Sequence, residues 1–315
     1  MRRFVIVGSS IACLATAARL AAAGHRVVVC EQRTGWNRPD QDDRPPTLMT
    51  MPQVLREFVA ATGAPWVLED RPSHTLHRHR LPGGMVLDFP GVDTERDIAL
   101  RLGRHAASEW SRFCRRIEPV YAEHVGRLLA PGLHRSPARA PARQPTAARW
   151  ISRTVRHVGL REVIRREAGG DHTDLRTAPR SRLTAPFATA HFGVWAVAGG
   201  FEGLSDALDA CARRHGAVIL TGARVTWSAA AAGAGTVHLA TGERLPADVV
   251  VTTPGVASAL RCTSEGTGRT GGGPPAGTRP SGHGLRLHLL DGADHLGSGH
   301  AYDLLAAKAA VDKIG

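Results

Sequence analysis

Gly8, Ser10, Cys13 and Glu31 are the residues near the start of this 315-residue chain whose types and spacing could do chemistry. Gly8-Ser9-Ser10-Ile11-Ala12-Cys13 keeps the spacing of a Gly-x-Gly-x-x-Gly turn, in which the glycines allow a tight bend, a close backbone approach to a pyrophosphate and close helix–strand packing. Glu31 lies about twenty residues further on, where a carboxylate accepts hydrogen bonds from ribose hydroxyls. Only the first of the three glycines is present. A Cβ at Ser10 pushes toward the phosphates, and the larger side chain at Cys13 separates helix from strand. Each replacement costs on the order of 1 kcal/mol of binding or packing. Ser10 also offers a hydroxyl where such a turn has only backbone.

These residues need a strand, a helix and a second strand to position them. Phe4-Val5-Ile6-Val7 is a wholly apolar, β-branched run, as in a strand buried on both faces of a parallel sheet. Ile11 to Ala23 is rich in Ala and Leu and reads as a helix, with Gly24 placed as its C-cap. Val27-Val28-Val29-Cys30 is a second buried strand, with Glu31 at its end. The crossover of this βαβ unit is right-handed. Its helix tip, with free N–H groups and the positive dipole end, faces a diphosphate.

Composition narrows the class. The formal charge is +12, almost all of it from arginine, since the lysines are Lys308 and Lys313 alone. Aromatics are few and no nucleic-acid-reading module is present, so no nucleic-acid partner is expected. No apolar run reaches the roughly 20 residues of a spanning helix. Met1-Arg2-Arg3 before an apolar stretch imitates a signal peptide, but Arg19 interrupts it and a second strand follows at once. Cys13, Cys30, Cys114, Cys211 and Cys262 are scattered, odd in number and without zinc spacing, which suits reduced thiols in the cytoplasm.

Further motifs carry a family likeness. The stretch from Leu14 to Glu31, the segment Asp43-Arg44-Pro45-Pro46-Thr47 before an amphipathic helix, Gly193 to Phe201 ending its strand in Gly-Gly, Ala217 to Val225, and the buried run Ala247 to Pro254 occur in this order. Together they resemble the FAD-dependent amine oxidase and phytoene desaturase superfamily, above all its bacterial carotenoid-desaturase branch. The resemblance covers about 1–60 and 193–262. It implies FAD as cofactor, held by Gly8, Ser10, Ile11, Glu31, Gln32 and Val225, the last beside the adenine. It also implies hydride transfer from a hydrophobic, isoprenoid-type substrate to flavin. The chain departs from the family at Trp36, where a second glycine is usual after Gly35, and at Pro45, which also stands for glycine. No Gly-Asp-x-x-x-Pro-Gly flavin segment is found before the chain stops at Gly315, short of family length.

The implied architecture is an α/β, Rossmann-like FAD/NAD(P)-binding fold with an inserted α+β substrate domain, C-terminally incomplete. Residues 1–60 and 193–262 form the nucleotide domain and 61–192 the substrate region. Residues 263–284, rich in Gly, Pro and Thr, read as a flexible linker, and 285–315 as the start of a return to the substrate domain. Arg78 to Asp88 reads as a hairpin around Pro-Gly-Gly, and Ile98 to Leu129 as helical. Residues 131–147 are a Pro- and Arg-rich loop. From 149 to 166, arginines alternate with Trp150, Ile151, Val155, Val158, Val163 and Ile164, a pattern that fits a solvated face over a core. The alternative is an amphipathic helix lying peripherally on the inner face of the membrane.

No Ser/His/Asp elbow, HExxH or Walker lysine is present. His74, His77 and His79 are close, but strand alternation divides such a group between faces, so no metal is expected. His191 is a candidate to line a flavin cavity. In this family the flavin does the chemistry, so no catalytic side chain is named. Two other readings stay open: a non-catalytic remnant that binds FAD weakly or not at all, and a protein that keeps only an NAD-type nucleotide on the first βαβ unit.

Overall fold

The computed structural model describes residues 1–34, 47–73, 77–126, 129, 145–169, 174–227, 235–253, 286–289 and 300–314. The segments around Gly35-Trp36 and Asp43 to Pro46, most of the 131–147 stretch and the whole 263–284 linker lie outside these residues.

The β-branched runs form a parallel sheet. Strand β1 (Arg3–Val7) leads through helix α1 (Ile11–Ala22) to β2 (Arg26–Glu31), which pairs with β1 in parallel, Val5 opposite Val28 and Val7 opposite Cys30. Three strands from the far half of the chain complete the sheet: β8 (Val218–Thr221), β12 (Val249–Thr252) and β13 (Arg286–Leu289). The order is β13-β12-β1-β2-β8, every neighbour parallel. This is the doubly wound, Rossmann-like arrangement.

Strand alternation explains why these runs are apolar throughout. Phe4, Ile6, Val27, Val29, Val249 and Val251 face a large core that also holds α1, α8 (Gly200–Arg214) and α9 (His300–Ile314). Val5, Val7, Cys30 and Val250 face the other way, onto a three-stranded antiparallel sheet of β9 (Val225–Trp227), β10 (Gly235–Leu239) and β11 (Arg244–Ala247). Helix α1 is buried along almost its whole length between α8 and α9. Its one charge, Arg19, is 8% exposed; it pairs with Glu57 and lies 5.0 Å from the Phe58 ring. Both partners sit on α2 (Pro52–Thr62).

The run from Ala217 to Val225 contributes to two strands: the chain turns at Gly222, with φ +70°, and Val225 begins a strand of the small sheet. Residues 286–289 do not return to a substrate domain. They pair in parallel with β12, satisfying backbone groups that an open sheet edge would leave unpaired, and α9 then packs on α1 and α2.

A second core lies in the middle segment. The hairpin β5 (His77–Arg80) and β6 (Val86–Phe89) turns through Gly83 and Gly84, both with positive φ. Phe89, Ile98, Trp110, Phe113, Ile151, Val155, Val163 and Ile164 pack together, drawn from the hairpin, α3 (Thr94–Leu102), α4 (Arg104–Tyr121), α5 (Ala147–Thr154) and α6 (Val158–Gly169). Helices α5 and α6 replace the single amphipathic helix considered for 149–166. Glu109, 1% exposed, accepts N–H bonds from Arg156 and His157 at 2.9 Å each and so holds the break between them. Ile151, Val155, Val163 and Ile164 are fully buried, Trp150 is half-buried and Val158 points outward, so most of the apolar face packs into the core. Between the two cores, β3 (Leu48–Thr50), β4 (Leu68–Ser73) and β7 (Val194–Val197) form a small antiparallel sheet, and α7 (Thr184–Phe192) leads into β7. Among the described residues, no helix is long and apolar enough to cross a membrane.

Candidate functional site

The crevice beyond the ends of β1 and β12 is where the sheet changes direction: the chain moves outward to β2 and β8 on one side and to β12 and β13 on the other. Ligands of open α/β sheets bind at such switch points. Thr252, fully buried, donates its hydroxyl to the Val7 carbonyl at 3.0 Å and ties the two strand ends together.

The tip of α1 opens into this crevice. Gly8 turns the chain with φ +100°, a conformation glycine adopts without cost, and its N–H donates to the Cys30 carbonyl at 2.9 Å. Ser10 follows as N-cap: its hydroxyl accepts the Cys13 N–H at 3.3 Å and its carbonyl accepts the Leu14 N–H at 2.9 Å. The first N–H groups of the helix have no intrahelical acceptor. Ser10 is exposed and the Ile11 side chain is buried, so Ile11 can meet a ligand only through its backbone.

Cys13 is fully buried, with its thiol toward the Val7 carbonyl at 4.0 Å. The helix–strand contact therefore accommodates a thiol where the fingerprint has glycine. Burial pushes that thiol up to about 11 and the Cys30 thiol up to about 12, so both stay neutral at pH 7.

Glu31 is brought to the tip, as its spacing predicts. It is 8% exposed, accepts the Ser9 hydroxyl on Oε2, and accepts the Arg33 N–H at 2.8 Å on Oε1. The turn after it is stapled to the end of β8: Ala223 N–H donates to the Glu31 carbonyl and Gly222 N–H to the Arg33 carbonyl, each at 2.8 Å. Gln32 stands exposed on this turn. Gly8, Ser10, Ile11, Glu31 and Gln32 therefore converge. Val225 does so only indirectly: its side chain is 8% exposed, inside the cluster with Val7 and Cys30 beneath the strand ends. Ser9 was not legible as a site residue, because its role depends on a contact with Glu31.

This set fits the adenosine diphosphate half of a dinucleotide. A carboxylate has about four lone-pair sites, so Glu31 can accept ribose hydroxyls beside the two donors it already has. The helix tip and the Gly8 turn offer a backbone cradle for phosphate.

His191 is exposed and stacks on Phe187 at 5.2 Å between ring centroids. The histidines of β5 are different. His77 and His79, two residues apart, share one face of the strand, and both rings donate to Glu167 Oε1 on α6, at 2.8 and 2.7 Å. Alternation does not divide this pair, and His74 lies outside the described residues. Burial alone would push the Glu167 carboxyl up, but the two histidine bonds outweigh it and hold it below the usual carboxylate range.

No protein-family model matches the chain. Among curated proteins it is similar to hydroxyneurosporene desaturase of Cereibacter sphaeroides, 30% identical over 79% of this chain and 55% of the relative. It is also similar to phytoene dehydrogenase of Streptomyces griseus, 27% identical over 79% and 54%. The chain thus spans about half the length of these curated relatives. Among solved structures it resembles an oxidoreductase from Methanosarcina mazei, with 17% identity, a TM-score of 0.56, and 84% of this chain and 62% of that one covered. Putrescine oxidase also aligns, with 18% identity, a TM-score of 0.53, and coverage of 83% and 60%.

Proposed function

Since the chain belongs to the carotenoid desaturase and amine oxidase superfamily, we propose that it is an FAD-dependent oxidoreductase of phytoene desaturase type that acts on a hydrophobic, isoprenoid substrate. One observation carries this reading: Glu31 and the tip of α1 meet through Ser9 at the sheet's switch point. The residues divide the work by chemistry. The first N–H groups of α1 would hold the diphosphate, with Gly8 letting the backbone approach it. Glu31 would accept the ribose hydroxyls, Gln32 would line the rim, and Val225 would back the adenine from beneath. Bound FAD would supply the hydride acceptor for oxidising a C–C single bond to a double bond. The chain's own part is to orient an apolar substrate and exclude water.

A second reading has its own support: Glu31 is already engaged by Ser9 and Arg33, and the Ser10 hydroxyl by Cys13. A tip so self-satisfied suits a remnant that does not bind cofactor. Purified protein separates the two. A flavoprotein is yellow, with absorption near ~450 nm from its flavin, and gains thermal stability as FAD is added. A colourless protein that FAD does not stabilise is the remnant, and stabilisation by NAD alone assigns a nicotinamide nucleotide to the first βαβ unit.

A further inference from the structure

His77, His79 and Glu167 form a ligand set that the flavin chemistry does not use. Nδ1 of His77, Nε2 of His79 and a carboxylate oxygen of Glu167 all lie within 4.8 Å of one another. Two of the three are shielded: the Glu167 side chain is 3% exposed and that of His79 is 6%, while His77 is 57% exposed. The cluster is thus shielded on the protein side and reaches solvent through His77. The rings are held before any ligand arrives. His79 meets His77 at 6.1 Å and Phe89 at 6.3 Å, both edge-on, and Arg166 beside Glu167 donates to the Arg80 carbonyl at 3.1 Å, fastening α6 to the end of β5.

We propose that His77, His79 and Glu167 bind a divalent late first-row metal ion, of which zinc is the type, joining the β5–β6 hairpin to α6. Two imidazoles and one carboxylate suit zinc, with water completing the coordination on the open His77 side. Hard cations such as magnesium prefer all-oxygen sets. The fit needs the two imidazole nitrogens, which lie within 4.8 Å of each other, to approach as the N···O pairs open. Metal–ligand bonds of about 2.0–2.2 Å in tetrahedral geometry place ligand atoms roughly 3.3 Å apart. The two N···O separations, 2.8 and 2.7 Å, would therefore open by about half an ångström as the ion replaces the shared protons. The site ties residues 77–79 to residue 167 across the second core, so its expected effect is on the rigidity of that region. It stands independently of the nucleotide crevice.

The test uses full-length, tag-free protein freed of metal with a chelator, because the chain has 16 histidines and a tag would mask the site. Titration calorimetry with Zn2+ alone is expected to show one ion per chain at micromolar affinity or tighter, with Mg2+ binding at least a hundredfold more weakly. His77→Ala removes the exposed ligand without opening the core. It is expected to weaken Zn2+ at least tenfold, while the chelated protein loses only the one His77–Glu167 hydrogen bond and still melts cooperatively, a few degrees lower at most. Co2+ in place of Zn2+ should give visible absorption that H77A abolishes. Affinity should fall as the solution is made more acidic, because protons compete with the ion for the ligand atoms. No stoichiometric Zn2+ binding, equal affinity for Mg2+, or unchanged affinity in H77A would each overturn the assignment and leave the cluster as a hydrogen-bonded staple.

Discussion

The α1 tip and the His77–His79–Glu167 cluster both gather polar groups beside an apolar core, but they are built from different material. At the tip, the groups offered to a ligand are largely backbone N–H, and the chain from Gly8 to Arg33 supplies the turn, the cap and the carboxylate. In the cluster, all three groups are side chains, and Glu167 comes from 88 residues beyond His79. A backbone site tolerates exchange of side chains: Ser10 and Cys13 replace glycines, yet the helix still caps and packs. A side-chain site tolerates none. The difference also applies to the cores beneath, one a sheet sealed by strand alternation, the other helices held by aromatic contacts.

The contrast can be tested by perturbing each side in turn. The largest effect is expected in the second core. Phe113, 1% exposed, stacks on Trp110 at 5.3 Å and meets Trp150 edge-on at 5.9 Å. Phe113→Ala should cost about 3–5 kcal/mol in urea unfolding. It should leave nucleotide binding intact if the two regions are separable, so loss of both together would show that they are not. Next is Gly203→Ala on the nucleotide side. Alanine in a helix ordinarily gains up to about 1 kcal/mol over glycine, but here its Cβ would stand 2.1 Å from the Ala198 carbonyl oxygen. Net destabilisation of about 2–3 kcal/mol is expected, and a neutral result would mean that α8 is free to shift away from β7.

A smaller effect probes the crevice. Glu31→Ala should weaken FAD by roughly tenfold, about 1.4 kcal/mol, measured by quenching of flavin fluorescence. Ser10→Ala, which removes a cap, should cost about 1 kcal/mol of stability and change FAD affinity far less. Equal losses for the two variants would mean that the site reads side chains rather than backbone. The smallest effect is at the sheet's other end. Hydrogen bonding from Arg3 holds the Asp248 carboxyl below its ordinary range. A carboxyl depressed on folding adds stability above the unfolded value of about 3.9 and loses it as the pH falls toward the folded one. Both side chains are more than a third exposed, so solvent screens most of this. Asp248→Asn should slightly flatten the acid limb of the stability curve, and an unchanged limb would assign the pair no role.

Much of the nucleotide side was readable from residues alone. Phe4 to Val7 and Val27 to Cys30 had to be buried strands, because runs without a polar face have no other soluble home, and Gly8 and Gly24 marked the ends of the helix between them. Glu31 was legible by spacing. Ser9 was not, since nothing local distinguishes its hydroxyl from that of Ser10. The place of 286–289 was not legible, because an alternating pattern does not say which sheet edge a strand will join. The 149–166 stretch carried a helical signal that fitted a core, with a membrane surface as the alternative. The buried Glu109, forty residues earlier, decided for the core by capping the break after α5.

By itself, then, the amino-acid order determined the features that arise within one turn or one strand: the Gly8 bend, the capped α1 tip and the carboxylate at the end of β2. These follow from steric limits and hydrogen-bond needs that act between near neighbours. Tertiary structure alone decided that β13 joins β12, that the arginine-flanked helices turn their apolar side inward, and that Glu167 meets two histidines. Each of those outcomes depends on which distant surfaces bury one another, and that choice is made by the packing of the whole chain.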